Sequence, residues 1–328
     1  MRPYTRRLAA AATVCCALTG AAEAREAFVF SAFNQAALAR HAPLPMPGAA
    51  QPQAGLKFVL DWTNEYVLQQ APGETIRLDG EAARLSYQQH WRWDDIMLGV
   101  ELPVLMVGGG VLDSGIETWH DWFGLPNGGR EQMARDEYRY IYERNGETMF
   151  DLDEGDSVFG DLRLDAAHCG IAGGCAKALL QLPTGEKDRL LGGGLGASAW
   201  YEHAYALGGD ARWSGVFGAG VSALQADGLL EDMKETVVPF GWLSLGYALT
   251  DALDAGVQFY WHAPLYDDSG LAALADPGGQ LVFGFAYRSA AGTQWRLGIQ
   301  EDPIIDASPD FVIHLSIDWA AGAQSDAQ

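Results

Sequence analysis

The stretch DFVIHLSIDW at 310–319 sets Phe311, Ile313, Leu315, Ile317 and Trp319 against Asp310, Val312, His314, Ser316 and Asp318, because successive side chains of an extended chain point to opposite faces. The same period recurs along the chain. Leu56, Phe58, Leu60 and Trp62 oppose Lys57, Asp61 and Thr63; Leu85, Tyr87, Gln89, Trp91 and Trp93 oppose Arg84, Ser86, Gln88, His90 and Arg92; Trp295, Leu297 and Ile299 oppose Arg296 and Gln300. Segments of about 9 to 11 residues with this period are the signature of a transmembrane β-barrel, with one face on lipid and the other on a polar interior. A β-sandwich also alternates, but its polar face meets solvent. Here that face is rich in His, Arg, Gln and opposed charges, and aromatics gather at strand ends in WRW, WYEHAY and FYWH, where an interfacial girdle would lie. The expected fold class is therefore all-β, an antiparallel transmembrane barrel.

Composition agrees with strands and turns: 40 Gly, 11 Trp, 12 Tyr and 13 Phe with 20% charged residues. MRPYTRR, the apolar LAAAATVCCALTG and then Ala22-Glu23-Ala24 read as a signal peptide over 1–24 with export to the bacterial outer membrane. Losing its three Arg and one Glu would take the formal charge from −22 to −24, which repels phosphate backbones and argues against nucleic acid. The two cysteines left, Cys169 and Cys175 in HCGIAGGC, are expected to form a disulfide across a tight turn in an oxidising compartment; two Cys and one His fall short of a metal set. Neither a metal nor a cofactor is implied.

Twelve strands are expected, near 56–69, 74–93, 95–108, 157–168, 175–184, 195–208, 211–224, 237–250, 253–264, 279–290, 293–303 and 309–319. Short turns then fall at one end and longer loops at the other, as in outer-membrane barrels with periplasmic termini. The Asn-Gly turn in RNGE, between YRYIYE and TMFDL, marks a further hairpin that would make fourteen. Residues 25–54 are expected to form a periplasmic or lumen-lining segment, 55–319 the barrel, and 320–328 a disordered tail.

FNQAALARHAPLP, LDSGIETWHDWFGLPNGG, LPTGEKDRLLGGG, HAPLYDD and EDPIIDASPDFVIHLSI together resemble a family of Proteobacterial outer-membrane β-barrels, the domain-of-unknown-function 3187 family. The resemblance implies the barrel and its location, and carries no activity or catalytic residues. The LPTG stretch is also similar to one in barrels linked to uptake of aromatic compounds. Many outer-membrane barrels end on an aromatic residue read by the barrel-assembly machinery, whereas this chain runs past Trp319 with AAGAQSDAQ.

Candidate lumen residues are Lys57, Asp61, Arg84, His90, Arg92, Glu101, Asp161, Arg163, Asp165, Glu202, Gln258, Tyr260, His262, Arg288, Arg296 and His314. They can cross-link the interior or line a polar path. In the connection 109–156, VLDSGIETWHDWFGL has helical spacing and is expected to cap or constrict the mouth with Trp119, His120 and Trp122. The favoured role is passive uptake or binding of a small solute through a partly occluded lumen, without catalysis; the implied partners are outer-membrane lipid and lipopolysaccharide, the assembly machinery and that solute. Two alternatives remain. His314 and Ser316 share a strand face, as a membrane-embedded lipid hydrolase would need of a base and its nucleophile, and a third possibility is a structural or adhesive surface barrel.

Overall fold

A computed structural model describes residues 26–48, 52–124, 134–207, 212–301 and 307–320. The expected signal peptide at 1–24 and tail residues 321–328 lie outside them, as do parts of three connections. Fifteen strands are described: β1 (Gly55–Ala71), β2 (Glu74–Trp93), β3 (Ile96–Gly108), β4 (Arg139–Arg144), β5 (Glu147–Leu152), β6 (Asp156–Phe159), β7 (Leu162–Ile171), β8 (Gly174–Leu182), β9 (Gly196–Leu207), β10 (Trp213–Leu224), β11 (Val237–Ala248), β12 (Leu253–His262), β13 (Gly278–Arg288), β14 (Gln294–Glu301) and β15 (Phe311–Ala320).

Twelve of them close the barrel. Each pairs antiparallel with its neighbour in the order β1, β2, β3, β7 through β15, and β15 returns to β1 from Gly55↔Ala320 to Asn64↔Phe311. Closure removes both free sheet edges, so every wall strand finds backbone partners inside the bilayer. The β4–β5 hairpin pairs only with the outer end of β2, Glu74–Asp79 against Arg144–Arg139. It extends beyond the wall, which is why the count is twelve rather than fourteen. β6 and β7 both lie along β3 and act as one wall strand, interrupted at Gly160, whose N–H donates to Pro103 O at 2.9 Å.

The outward face carries Leu85, Trp91, Leu102, Leu243, Phe283, Phe285, Trp295 and Leu297, all exposed. The inward residues of the same strands are buried, among them Ser86, Gln88, Ser244, Gln258, Gln280 and Arg296. This inversion of the usual soluble pattern is what lipid outside and a filled lumen inside require. At the short-turn end Cys169 and Cys175 pair across the β7–β8 turn and form a disulfide.

What fills the lumen is residues 26–48. They carry one 3-10 turn, Ala37–Ala39, and are buried almost throughout. The segment runs as an irregular hairpin, from Glu26 at the short-turn end to a tip beside the outer loops and back to Gly48. A row of glycines makes room for it. Gly246, Gly256, Gly284 and Gly298 are paired in succession across β11 to β14. A Cβ at Gly246 or Gly256 would lie 2.2 Å from Phe28, and one at Gly298 3.1 Å from Phe30, so a side chain at these positions would press on the aromatic pair, whereas one at Gly284 would meet the Leu297 backbone. Above, the tip packs against a cap of outer-loop residues, including Tyr140, Tyr142, Leu191, Met233, Tyr266 and Leu274.

The helix of the long connection is present as α1 (Asp113–Phe123). Its start is fastened to the outward side of the wall: Asp113 Oδ1 accepts from Asn64 Nδ2 at 3.0 Å, and Glu81 Oε1 accepts from Val111 N at 2.9 Å. Glu81 also accepts from Trp62 Nε1 at 2.8 Å. Two polar residues on an otherwise lipid-facing side need such partners, and the turn before α1 supplies them. Trp122 is 77% exposed; the side chains of Trp119 and His120 lie outside the described residues.

Candidate functional site

The irregular backbone of 26–48 cannot satisfy itself, so the inward side chains of the wall do it. On the ascending limb Phe30 N donates to Gln258 Oε1 at 2.8 Å, Ser244 Oγ donates to Phe28 O at 2.6 Å, and Asn34 Nδ2 lies 2.7 Å from His262 Nε2. At the tip Glu65 accepts from Ala37 N at 3.1 Å and from Tyr140 OH at 2.9 Å, with Arg40 3.9 Å away. On the descending limb Tyr266 OH donates to Leu38 O at 2.8 Å, Gln181 Nε2 to His41 O at 2.9 Å and Tyr260 OH to Pro45 O at 3.3 Å. Ser198 donates to Pro43 O and Arg163 to Leu44 O. Gly48 N reaches Glu202 Oε1 at 3.3 Å, and that carboxylate pairs with Lys177.

The remaining wall charges pair with one another or with the hairpin's start. Lys57 meets Asp318 at 3.5 Å and donates to Ser31; Arg296 binds Asp318 and reaches Glu26 at 3.5 Å; Arg288 reaches Glu26 at 3.6 Å. Arg84 binds Glu101, and His90 lies 3.0 Å from Asp165. Asp161 gathers the LPTGEKDRLLGGG loop, accepting from Gly185 N at 2.8 Å, Gly193 N at 2.9 Å and Gly194 N at 3.1 Å. Arg92, near the short-turn rim, is exposed. Among the described residues no group of three or more His, Cys, Asp and Glu is placed to hold a metal.

Below the hairpin lies a cavity of about 200 Å³. Gln53, Gly292 and Trp319 line it at the short-turn rim, Met46, Met97 and Trp200 form apolar walls, and the pairs around Lys57, Arg296 and His90 border it. A second, small pocket of about 30 Å³ sits higher, between Phe33, Leu105, Asp161 and Gly192.

Residues 5–320 match a family model described as protein of unknown function (DUF3187). The chain belongs to that family. Among solved structures, the COG4313 outer membrane channel from Pseudomonas putida F1 is similar to this DUF3187 chain at 13% identity and TM-score 0.50, over 85% of this chain and 97% of that one. That likeness is one of fold, an outer-membrane barrel. The Pseudomonas putida toluene transporter TodX is similar at 9% identity and TM-score 0.39, over 88% of this chain and 98% of that one; nothing rests on so low a score. Comparison with curated proteins found no match.

In the DUF3187 barrel, His314 and Ser316 both face inward and are 0% exposed. His314 Nδ1 lies 2.7 Å from Asp61 Oδ1, and Phe30 covers the ring edge-on at 5.8 Å between centroids. Among the described residues Ser316 Oγ has no hydrogen-bond partner, so nucleophile and base are not in contact. The pair faces the hairpin rather than lipid.

The sequence offered 25–54 as a periplasmic or lumen-lining segment but gave none of the pairings that hold 26–48 against the wall. Within it His41 is the residue whose protonation matters. Burial, with Lys234 adding to it, depresses its pKa from 6.5 to about 3. A base with a folded pKa below its unfolded value is held neutral, so the seated hairpin loses stability as pH falls from 6.5 toward 3, by about 1.4 kcal/mol per pH unit. At pH 5 the loss is about 2 kcal/mol, or roughly thirtyfold in hairpin release. Protease cleavage within 26–48 should rise accordingly between pH 7.5 and pH 5, and His41→Gln should flatten that rise; an unchanged profile in the variant would remove His41 as the cause.

Proposed function

We propose that this barrel passes or holds a small solute, with its lumen closed at rest by residues 26–48. The observation carrying this reading is a lumen filled by one irregular segment above a cavity that borders the short-turn, periplasmic end. A cavity of 150 Å³ accommodates benzene, so about 200 Å³ suits a solute slightly larger than benzene. Lys57, Arg163, Lys177 and Arg296 in the lining are matched by Glu26, Glu101, Asp165 and Asp318, which favours an uncharged or zwitterionic solute, since an ion would have to break a pair. Signal-directed export and residence in the outer membrane belong to the same reading.

The lipid-hydrolase reading is weaker, because Ser316 makes no hydrogen bond to His314, whose ring Phe30 covers. Osmotic swelling of proteoliposomes tests the preferred one. Glycerol and proline should enter at a rate above that of protein-free vesicles and a trisaccharide should not. If neither the intact protein nor a form lacking the hairpin admits any solute, the reading fails.

A further inference from the structure

We infer that the route through the barrel runs past the hairpin rather than through its place, and that Arg163 is the partition that closes it. The proposal rests on the solute-passing reading above. It starts from the two cavities: among the described residues Arg163 is the one residue that lines both the large lower cavity and the small upper pocket. Nothing else is shared between their walls.

The side chain is held across the gap by few constraints, from three sides. Its guanidinium donates to Leu44 O, stands 3.6 Å from Glu101 Oε2, and lies 5.1 Å from the Phe33 ring centroid. Arg84 occupies the other approach to Phe33 at 5.2 Å and also binds Glu101, so Glu101 and Phe33 are backed by a second cation when Arg163 moves. Among the described residues Arg163 Nε has no hydrogen-bond partner although the residue is 4% exposed. A buried guanidinium with an idle donor is incompletely fixed. Swinging it aside breaks one hydrogen bond, one ion pair and the contact over Phe33, whereas displacing the hairpin breaks every contact along both limbs. The upper pocket then leads under Gly192, in the loop whose neighbouring glycine amides Asp161 gathers. Opening by one side-chain rotation is the smaller change, and side-chain motion is far faster than release of a packed segment.

Single-channel recording of the full chain in planar bilayers tests this, with Arg163→Ala, Arg163→Lys and a hairpin-deleted form side by side. Arg163→Ala should raise the time-averaged current about tenfold, the factor expected from losing one charged hydrogen bond that favours the closed form. Arg163→Lys keeps the charge without the planar fork and should fall between. A Leu105→Cys reporter in the upper pocket, measured over the parent background, should react faster with a small thiol reagent when Arg163→Ala is also present. Unchanged current and unchanged labelling in a folded Arg163→Ala protein, beside a conducting hairpin-deleted form, would overturn the route. Silence of every form would overturn the solute reading itself.

Discussion

Removing residues 27–47 should convert a barrel that conducts rarely into a steadily open pore, with a rise in mean current of at least about tenfold, because twelve strands enclose more space than side chains alone can fill. The wall does not need the segment. Its backbone ladder closes on itself from β1 to β15, and the inward groups that now serve the hairpin, such as Gln258, Ser244 and Gln181, would meet water instead. The cap does need it: Tyr140, Tyr142, Leu191, Met233 and Tyr266 lose the packing of Phe33, Leu38 and Leu44, so the outer loops should loosen as the lumen opens. Heat-modifiable migration on a gel checks that the variant is folded, and planar-bilayer current reads the pore. A folded variant as quiet as its parent would mean that the loops alone seal the mouth.

The wall was legible because each strand carries its own evidence. Alternation such as Phe58, Leu60 and Trp62 against Lys57 and Asp61 needs no knowledge of the neighbouring strand, and the observed β1, β2 and β15 cover those stretches. Even the interrupted strand around Gly160 could be read as one wall segment. The hairpin's pairings with the wall were not legible for the opposite reason. Phe30 finds Gln258 across 228 residues of sequence, and nothing local to FVFSAF announces that partner. The glycine row has the same character: Gly246, Gly256, Gly284 and Gly298 are four among 40 glycines until closure sets them side by side. Asn64 and Glu81 hold outward positions yet are buried, because the turn before α1 lies over them; a period-2 pattern assigns a face but not what covers it.

Glu65→Ala should be the single substitution that most weakens the seated hairpin, costing about 3 to 5 kcal/mol, the range for removing one partner of a buried ion pair. The carboxylate is 2% exposed and ties three elements together: Ala37 N at the hairpin tip, Tyr140 OH of β4 and Arg40. Truncation leaves the Arg40 guanidinium without its carboxylate in a place where its side chain is 4% exposed. Its remaining contacts are carbonyls, Gln35 O at 3.3 Å and Leu190 O at 3.4 Å, which satisfy hydrogen bonds but not the charge. The consequence is a test by rescue. If the stranded cation is the cause, Arg40→Met should recover much of the loss when added to Glu65→Ala, while destabilising the parent by itself. Protease cleavage within 26–48 and the midpoint of thermal unfolding in detergent read the effect. Should the double variant be as weak as the sum of the two singles, the loss would belong to the bonds at Ala37 and Tyr140, and the tip would be held by hydrogen bonding rather than by charge.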